Sequence, residues 1–137
     1  MYDAVIEAVK LATQELKKKR IKFEIKGLLY LQGESDGRDA GIADIRAKEL
    51  LNNLRQDLPK AKKMKMFIGG IAGYGGNQKM TRAKHQELAE GNKDFYFIDT
   101  SDLLKAHIYR DRIHFNNEAK MEIGKRFAKT INKAIKK

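Results

Sequence analysis

The sequence predicts a protein of the α/β class, in which a parallel β-sheet carries helices on both faces. Amphipathic segments with helical spacing alternate with three short apolar segments in the order α-β-α-β-α-β-α. This alternation is typical of parallel strands joined by crossover helices. The length of 137 residues fits one domain, and a hydrophobic fraction of 42% favours a folded chain.

The first quarter of the chain predicts a helix and a strand. The helix is predicted to begin after Asp3, a residue type that caps helix N-termini, and to end near Lys19. Its predicted inward face consists of apolar residues three or four positions apart: Val5, Val9, Ala12 and Leu16. The short apolar run at residues 25–31 predicts a buried strand, and residues 36–39 form a polar turn after it.

The middle of the chain predicts a second helix and a second strand. The helix runs from about Ala40 to Leu58, where Pro59 stops it. Its predicted inward face consists of Ala47, Leu51, Leu54 and Leu58. Residues 65–71 predict the second strand, which is followed by a flexible loop that contains Gly73, Gly75 and Gly76.

The last part predicts two more helices around a third strand. The third helix covers residues 78–89, the third strand covers residues 95–98, and a loop follows at residues 102–112. Asn116 or Asn117 caps the final helix. The predicted inward face of that helix consists of Ile123, Phe127, Ile131 and Ala134.

The chain is basic, with 29 Lys and Arg against 18 Asp and Glu, a formal net charge of +11. The lysines concentrate at residues 17–20, 60–65 and 125–137. Two of these groups lie at predicted helix ends, where cations offset the helix dipole and remain solvated. Aromatic residues do not alternate with them as a single-strand stacking platform requires. We therefore expect a solvated basic surface and no nucleic-acid partner.

Composition excludes several other classes. With no cysteine, the chain contains no disulfide scaffold, thiolate zinc site, iron–sulfur cluster or cysteine nucleophile. No apolar run approaches the ~20 residues that cross a bilayer, so no membrane partner is expected. Residues 1–10 do not combine a basic region with an apolar one, so no secretory signal is visible in them. The sequence does not determine the cellular compartment.

A carboxylate and an imidazole three residues apart form the first candidate for chemistry. Asp111 can contact one ring nitrogen of His114 and leave the other nitrogen free for proton transfer. Taken alone, this spacing is also common in surface loops. The segment follows the third strand and therefore lies at the carboxyl edge of the predicted sheet, where sites of α/β proteins form.

A polar segment directly after the first strand forms the second candidate. Gln32 offers an amide donor of the kind that stabilises an oxyanion, and Gly33 permits close backbone approach. A plain polar turn is the alternative interpretation of residues 32–36. This segment also lies at the carboxyl edge of the sheet.

Together the two segments resemble one family. Residues 30–36 (Tyr-Leu-Gln-Gly-Glu-Ser-Asp) resemble the Trp-x-Gln-Gly-Glu-Ser-Asp block of the sialate O-acetylesterase and acetylxylan esterase group of SGNH (GDSL-like) hydrolases. Residues 111–116 (Asp-Arg-Ile-His-Phe-Asn) resemble its last block, Asp-Gly-Ile-His-Phe-Asn. Arg82 and Gln86 resemble supporting residues of an intervening helix. The resemblance runs from about Ile25 to the C-terminus.

The resemblance implies a flavodoxin-like three-layer α/β/α sandwich and a serine hydrolase that removes acetyl groups from sugars, of sialate or xylan type. The reaction uses a Ser–His–Asp triad and no metal or other cofactor. By matching position, His114 is implied as general base and acid and Asp111 as its orienting carboxylate. Gln32 is implied as oxyanion donor, with Gly33 and Glu34 shaping the same loop. Members of the group are often exported.

The sequence differs from the family pattern at the nucleophile. The family nucleophile lies in an N-terminal Gly-Gln-Ser-Asn block after a first strand, and no segment here matches that block. The only serines are Ser35 and Ser101. We therefore expect residues 1–137 to form a partial domain that lacks its first strand, with the serine supplied by a missing N-terminal segment or a second chain.

Two further expectations follow from that departure. The first is an alternative function: a non-catalytic remnant or binding module of the same fold, with a basic surface for an anionic partner. The second concerns stability, because an absent strand leaves one edge of the sheet open beside residues 28–31. We expect marginal stability or self-association into a homo-oligomer.

Ser35 offers a rival interpretation as nucleophile. Residues 33–37 spell Gly-x-Ser-x-Gly after a strand, and the order Ser35, Asp111, His114 matches that of α/β-hydrolases. That fold, however, normally separates its Asp and His widely along the chain. In the alternative interpretation, the Ser35 hydroxyl has a structural role and forms a hydrogen bond with the backbone of the turn.

The remaining histidines are not assigned to the chemistry. We expect His85 to lie exposed on the polar face of the third helix, and His107 to be a solvated loop residue. Asp99, Asp102 and Asp111 do not have the spacing of a metal-ligand set.

Overall fold

The computed structural model describes residues 2–105, 108–111 and 113–135, so His107 and Arg112 lie outside the described residues. The helices and strands follow the predicted order: α1 (Tyr2–Lys18), β1 (Gly27–Tyr30), α2 (Ala43–Asp57), β2 (Lys65–Gly69), α3 (Gly76–Gly91), β3 (Phe95–Ile98) and α4 (Asn117–Ile135). Short 3₁₀ turns at Gly37–Ile42 and Ser101–Leu103 precede α2 and follow β3. Within these ranges, no helix combines the length and apolar character that a membrane span requires.

The three strands form one parallel sheet in the order β1-β2-β3. Leu29 pairs with Phe67, and Phe67 pairs with Tyr96, so these three side chains share one face. The central strand β2 is almost wholly buried, as expected when both faces carry helices.

A hydrophobic core lies on each face of the sheet. One core joins Met66 and Ile68 of β2 to α2 and α3, with Ile6 of α1 at its margin. The other joins Phe67 to the inner side of α4, where Ile123 and Phe127 are buried. Helices therefore cover both faces, which confirms the α/β class and the three-layer sandwich.

The inward face of α1 differs from the predicted one. Ile6 and Thr13 are buried, whereas Val5 is exposed. The inward stripe consists of Ile6 with Tyr2 and Val9 packed against the same core, and the Tyr2 hydroxyl donates a hydrogen bond to Asp57 Oδ2 at 2.7 Å. Tyr2 and Ile6 are one turn apart and therefore approach α2 together.

The expectation that His85 is exposed is wrong. Its side chain is only 2% exposed. It lies on the inward face of α3 with Thr81 and Leu88, and its ring meets Tyr30 edge to face, with centroids 5.9 Å apart. The polarity of histidine favours the solvent side of the helix. The helical spacing of His85 from Thr81 and Leu88, however, places it on the inward face.

One edge of the sheet is formed by β1, which pairs only with β2 in the part of the chain that the structure describes. Leu29 in this strand is 57% exposed. Its neighbour Phe67, on the same face, is fully buried. Cover by α4 thus extends over β2 and ends before β1.

Candidate active site

The two sequence motifs line a single cleft at the carboxyl edge of the sheet. The cleft has a volume of about 380 Å³. It is lined by residues from the loop after β1 and from the segment around the start of α4: Leu31, Gln32, Glu34, Ser35, Asp36, His114, Phe115 and Lys120. Parallel strands end at the same edge, which is why segments about 80 residues apart in sequence meet there.

Asp111 holds His114 through a compact set of hydrogen bonds. Its Oδ1 accepts the backbone N–H groups of Ile113 and His114 at 2.9 and 3.0 Å, and its Oδ2 lies 2.8 Å from Nδ1 of His114. The backbone N–H of Ile113, followed by the His114 ring and the His114 N–H, lowers the pKa of Asp111 to about 2. The carboxylate is therefore ionised at neutral pH and favours the tautomer with the proton on Nδ1, which leaves Nε2 free.

A closed loop presents this pair to the cleft. Ile108 and Phe115 form an antiparallel bridge, and the Tyr109 N–H donates a hydrogen bond to the His114 carbonyl at 2.8 Å. Asn116 then caps α4, because its Oδ1 accepts the Ala119 N–H at 2.9 Å. The His114 side chain is 62% exposed and open to a substrate.

Gly33 shapes the loop after β1. Its φ is +128°, and a Cβ built on it would lie 2.7 Å from Cγ2 of Thr81. A side chain is therefore disfavoured by backbone conformation and by space. The turn leaves Gln32 exposed, with no hydrogen-bond partner for its amide among the described residues.

Glu34 places a half-buried carboxyl in the same cleft. Burial raises the pKa of Glu34, while nearby backbone N–H groups and the neighbouring His114 act in the opposite direction. A carboxyl with a raised pKa beside an imidazole is typical of functional sites, although ion-pair networks produce it too.

The family is established by a match that covers nearly the whole chain. The family model for carbohydrate esterases described as sialic acid-specific acetylesterases matches residues 1–133. The chain belongs to this carbohydrate esterase family.

A solved structure has a similar fold. A protein from Arabidopsis thaliana is 26% identical in sequence and similar in structure, with a TM-score of 0.73 over 91% of this chain and 50% of that one. The chain thus spans half the length of the Arabidopsis protein. No curated protein matches it.

Neither serine of the chain is hydrogen-bonded to His114 in the described structure. Ser35 lines the cleft and is exposed, but no hydrogen bond joins it to the imidazole within residues 2–105, 108–111 and 113–135. The Ser101 hydroxyl donates to Oδ2 of Asp99 at 3.0 Å and is not among the residues that line the cleft.

Arg82 and Gln86, the two α3 residues that the resemblance suggested, have different surroundings. Nη1 of Arg82 donates to the carbonyls of Ile71 and Gly73, both at 2.9 Å, and thereby supports the loop after β2. Gln86 is exposed and donates to Glu90 Oε1 at 2.9 Å, away from both loops.

Lys120 is a cleft residue that sequence reasoning missed. It lies one turn into α4, and its Nζ is 5.3 Å from the centre of the Tyr109 ring. Its position four residues after the capping Asn116 could have placed it beside the motif, but the overall abundance of lysine concealed that signal.

Proposed function

We propose that the protein supplies the acid–base half of a serine O-acetylesterase that removes acetyl groups from sugars of sialate or xylan type. The observation that carries the proposal is the 2.8 Å contact between Asp111 and His114, because His114 lines the same cleft as Gln32 and Glu34. Membership of a carbohydrate esterase family supports the substrate class.

In the proposed reaction His114 carries one proton in each of two half-reactions. Its Nε2 accepts the proton of a serine hydroxyl while the serine oxygen attacks the acetyl carbonyl, and Asp111 stabilises the resulting imidazolium. The imidazolium then donates that proton to the departing sugar oxygen, leaving an acetyl-serine. Water, deprotonated by the same Nε2, then attacks the carbonyl carbon of the acetyl-serine. The imidazolium returns this proton to the serine oxygen as the ester C–O bond breaks, and acetic acid leaves and ionises to acetate.

Gln32 is proposed to stabilise the oxyanion that forms in both steps. Its amide is exposed at the cleft and free of partners in the described structure, so it can donate to a developing negative charge. Removing one such donor typically lowers kcat by about 10²–10³-fold.

The serine is proposed to come from polypeptide other than residues 1–137. The open edge of β1 supports this, because a parallel strand added there would end beside Gln32 and deliver the following residues to the cleft. The exposed Leu29 would be covered by such an addition. The chain also spans only half of its Arabidopsis relative.

A chromogenic acetyl ester tests the proposal. The 137-residue chain should be inactive, and fusion to a segment that carries a first strand and a Gly-Gln-Ser-Asn block should create activity that His114→Ala removes. Inactivity of a folded fusion would overturn the esterase proposal. Activity of the chain alone that is lost in Ser35→Ala would instead assign the nucleophile to Ser35.

One observation favours a second candidate, a binding module for an anionic partner. Lys17 lines a groove with Pro59, and Lys60 and Lys63 lie around Phe23 close by, at the amino edge of the sheet and opposite the cleft. The fold thus joins two lysine groups that are distant in sequence. Salt-sensitive binding to an acidic glycan or to nucleic acid, unchanged by His114→Ala, would support this candidate.

A further inference from the structure

One side of α3 faces the loops that follow β1 and β2. The residues on this side are spaced three or four positions apart: Gln78, Thr81, Arg82 and His85. Thr81 and His85 are buried, and Gln78 and Arg82 are half-buried. Because these spacings repeat on one side of a helix, a single rigid element supports both loops.

Gln78 contacts the two loops at once. Its Nε2 donates a hydrogen bond to the Glu34 carbonyl oxygen at 2.8 Å. Its aliphatic part lies against Gly73, where an added Cβ would come within 2.9 Å of Cγ, and its amide lies against Gly75. The side chain is therefore enclosed between the loop after β1 and the loop after β2.

The other residues on this side of α3 each serve one loop. Arg82 binds the carbonyls of Ile71 and Gly73 in the loop after β2. The methyl group of Thr81 lies under Gly33 in the loop after β1. Ile71 of the loop after β2 also lies near Gly33, where an added Cβ would come within 3.5 Å of its Cδ1. Gln78 differs from Ile71 because it adds a hydrogen bond to one loop while packing against the other.

The hydrogen bond of Gln78 holds the backbone of Glu34, a residue that lines the cleft. In the described structure the Gln78 amide is the sole hydrogen-bond donor to the Glu34 carbonyl. Glu34 lines the cleft with His114, and the two side chains interact electrostatically. Loss of the amide would release the backbone that carries the Glu34 carboxyl.

We propose that Gln78 is a positioning residue that locks the loop after β1 to the loop after β2 and thereby fixes the Glu34 carboxyl beside His114, an assignment that rests on the proposed function of the cleft. Gln78 does not line the cleft and acts through Glu34. The link makes the geometry of one cleft wall depend on the glycine-rich loop.

The variant Gln78→Met tests the link, because it keeps the length of the side chain and removes the donor. Gln86→Met is the matched control, since it makes the same change on the exposed side of the same helix. In Gln78→Met the hydrogen-bonded amides that report on the two loops, the Asp36 N–H bound to the Gly33 carbonyl and the Lys79 N–H bound to the Gly75 carbonyl, should exchange hydrogen about tenfold faster. That factor is expected for the loss of one partly buried hydrogen bond. The control should leave the exchange of both amides unchanged.

The titration of Glu34 provides a second readout. Burial raises the pKa of its carboxyl, so release of the loop should bring that pKa down toward its ordinary value in Gln78→Met. The ¹³C shift of the labelled carboxyl measures it without substrate. Unchanged exchange and unchanged titration in a folded Gln78→Met protein, or faster exchange in one loop alone, would overturn the proposal.

If Gln78→Met fails to fold, the unmodified chain still tests the link. Native-state hydrogen exchange with added denaturant should show the two loops opening together, with one free energy and one denaturant dependence. Separate opening would contradict the proposal. An inactive esterase fusion with coupled loops would refute the proposed function and leave the role of Gln78 intact.

Discussion

Arg126 in α4 forms a bidentate ion pair with Asp102 in the turn after β3. Nη1 lies 2.7 Å from Oδ1, and Nη2 lies 2.7 Å from Oδ2. The same Nη1 donates to the carbonyl of Asp99 at 2.9 Å. The guanidinium thus ties the final helix to the segment that leads to Asp111.

Replacing Arg126 with Lys should destabilise the protein by about 1 kcal/mol, because Lys cannot reproduce two parallel hydrogen bonds to one carboxylate. Urea unfolding measures the loss. Lys125→Met is the control, because Lys125 is more exposed than Arg126 and makes a single long contact of 3.8 Å with Glu122. This change should alter the free energy of unfolding by less than about 0.5 kcal/mol. Equal effects of the two changes would show that the bidentate geometry contributes nothing.

The Asp111–His114 pair should make stability depend on acid. The pKa of Asp111 is about 2 in the folded protein against an ordinary value of 3.8, so the unfolded chain binds a proton first as pH falls. The contribution of Asp111 is complete above about pH 5 and is lost progressively toward pH 2. Unfolding midpoints measured across this range should fall less steeply in Asp111→Asn. A variant as acid-sensitive as the original chain would contradict the assignment.

His85 should make stability depend on pH in a different range. Burial lowers the pKa of His85, against the opposing effects of Asp36, the backbone at Ala43 and Asp44. Because the unfolded chain then binds more protons than the folded one, stability should fall as pH drops through about 6.5. Chemical unfolding at pH 7.5 and pH 5.5 measures the fall, which should be smaller in His85→Gln. An imidazole that titrates at its ordinary value by NMR would refute this prediction.

Gly33→Ala should destabilise the protein by about 1–3 kcal/mol, because the new methyl group meets Thr81 and the backbone has a positive φ. Gly124→Ala should have the opposite sign, with a gain of up to about 1 kcal/mol, since nothing lies within 4 Å of its added Cβ in α4. Thr81→Ser removes the contacting methyl group and should recover part of the loss in the double variant. Thermal unfolding of the original chain, the three single variants and the double variant decides the point.

The open edge of the sheet predicts self-association. Leu29→Lys should shift the chain toward monomer, because it places a charge on the exposed apolar part of β1. Met121→Lys makes the same kind of change at an exposed position of α4 and should have no effect. Sedimentation velocity over a concentration series measures both. A chain that is monomeric at every concentration would contradict the expectation.

The order of the elements could be predicted from periodicity, but the direction of single side chains could not. Local chemistry at Pro59 and Asn116 predicted helix ends. In the structure α2 ends at Asp57, just before Pro59, and Asn116 caps α4. His85 was placed on the wrong side because a buried polar residue gives no local signal of burial. At the start of α1 the Tyr2 hydroxyl binds Asp57, which lies 55 residues away, and local periodicity cannot reveal such a contact.

The cleft was predictable to a similar degree. Strand ends bring Gln32 and His114 together, and that follows from the topology of a parallel sheet. The roles of these residues stay predictions. Gln78 gave no signal, because its function depends on a carbonyl 44 residues earlier in the chain and on the space left by two glycines.

The loop that carries Asp111 and His114 closes on itself between Ile108 and Phe115. Little chain entropy is lost in bringing two groups together when only two residues separate them. The pair can therefore assemble without help from a distant part of the chain. A polypeptide divided before β1 would keep this pair assembled on one fragment. Under the proposed function, activity would then report the joining of two proteins to which the fragments are fused.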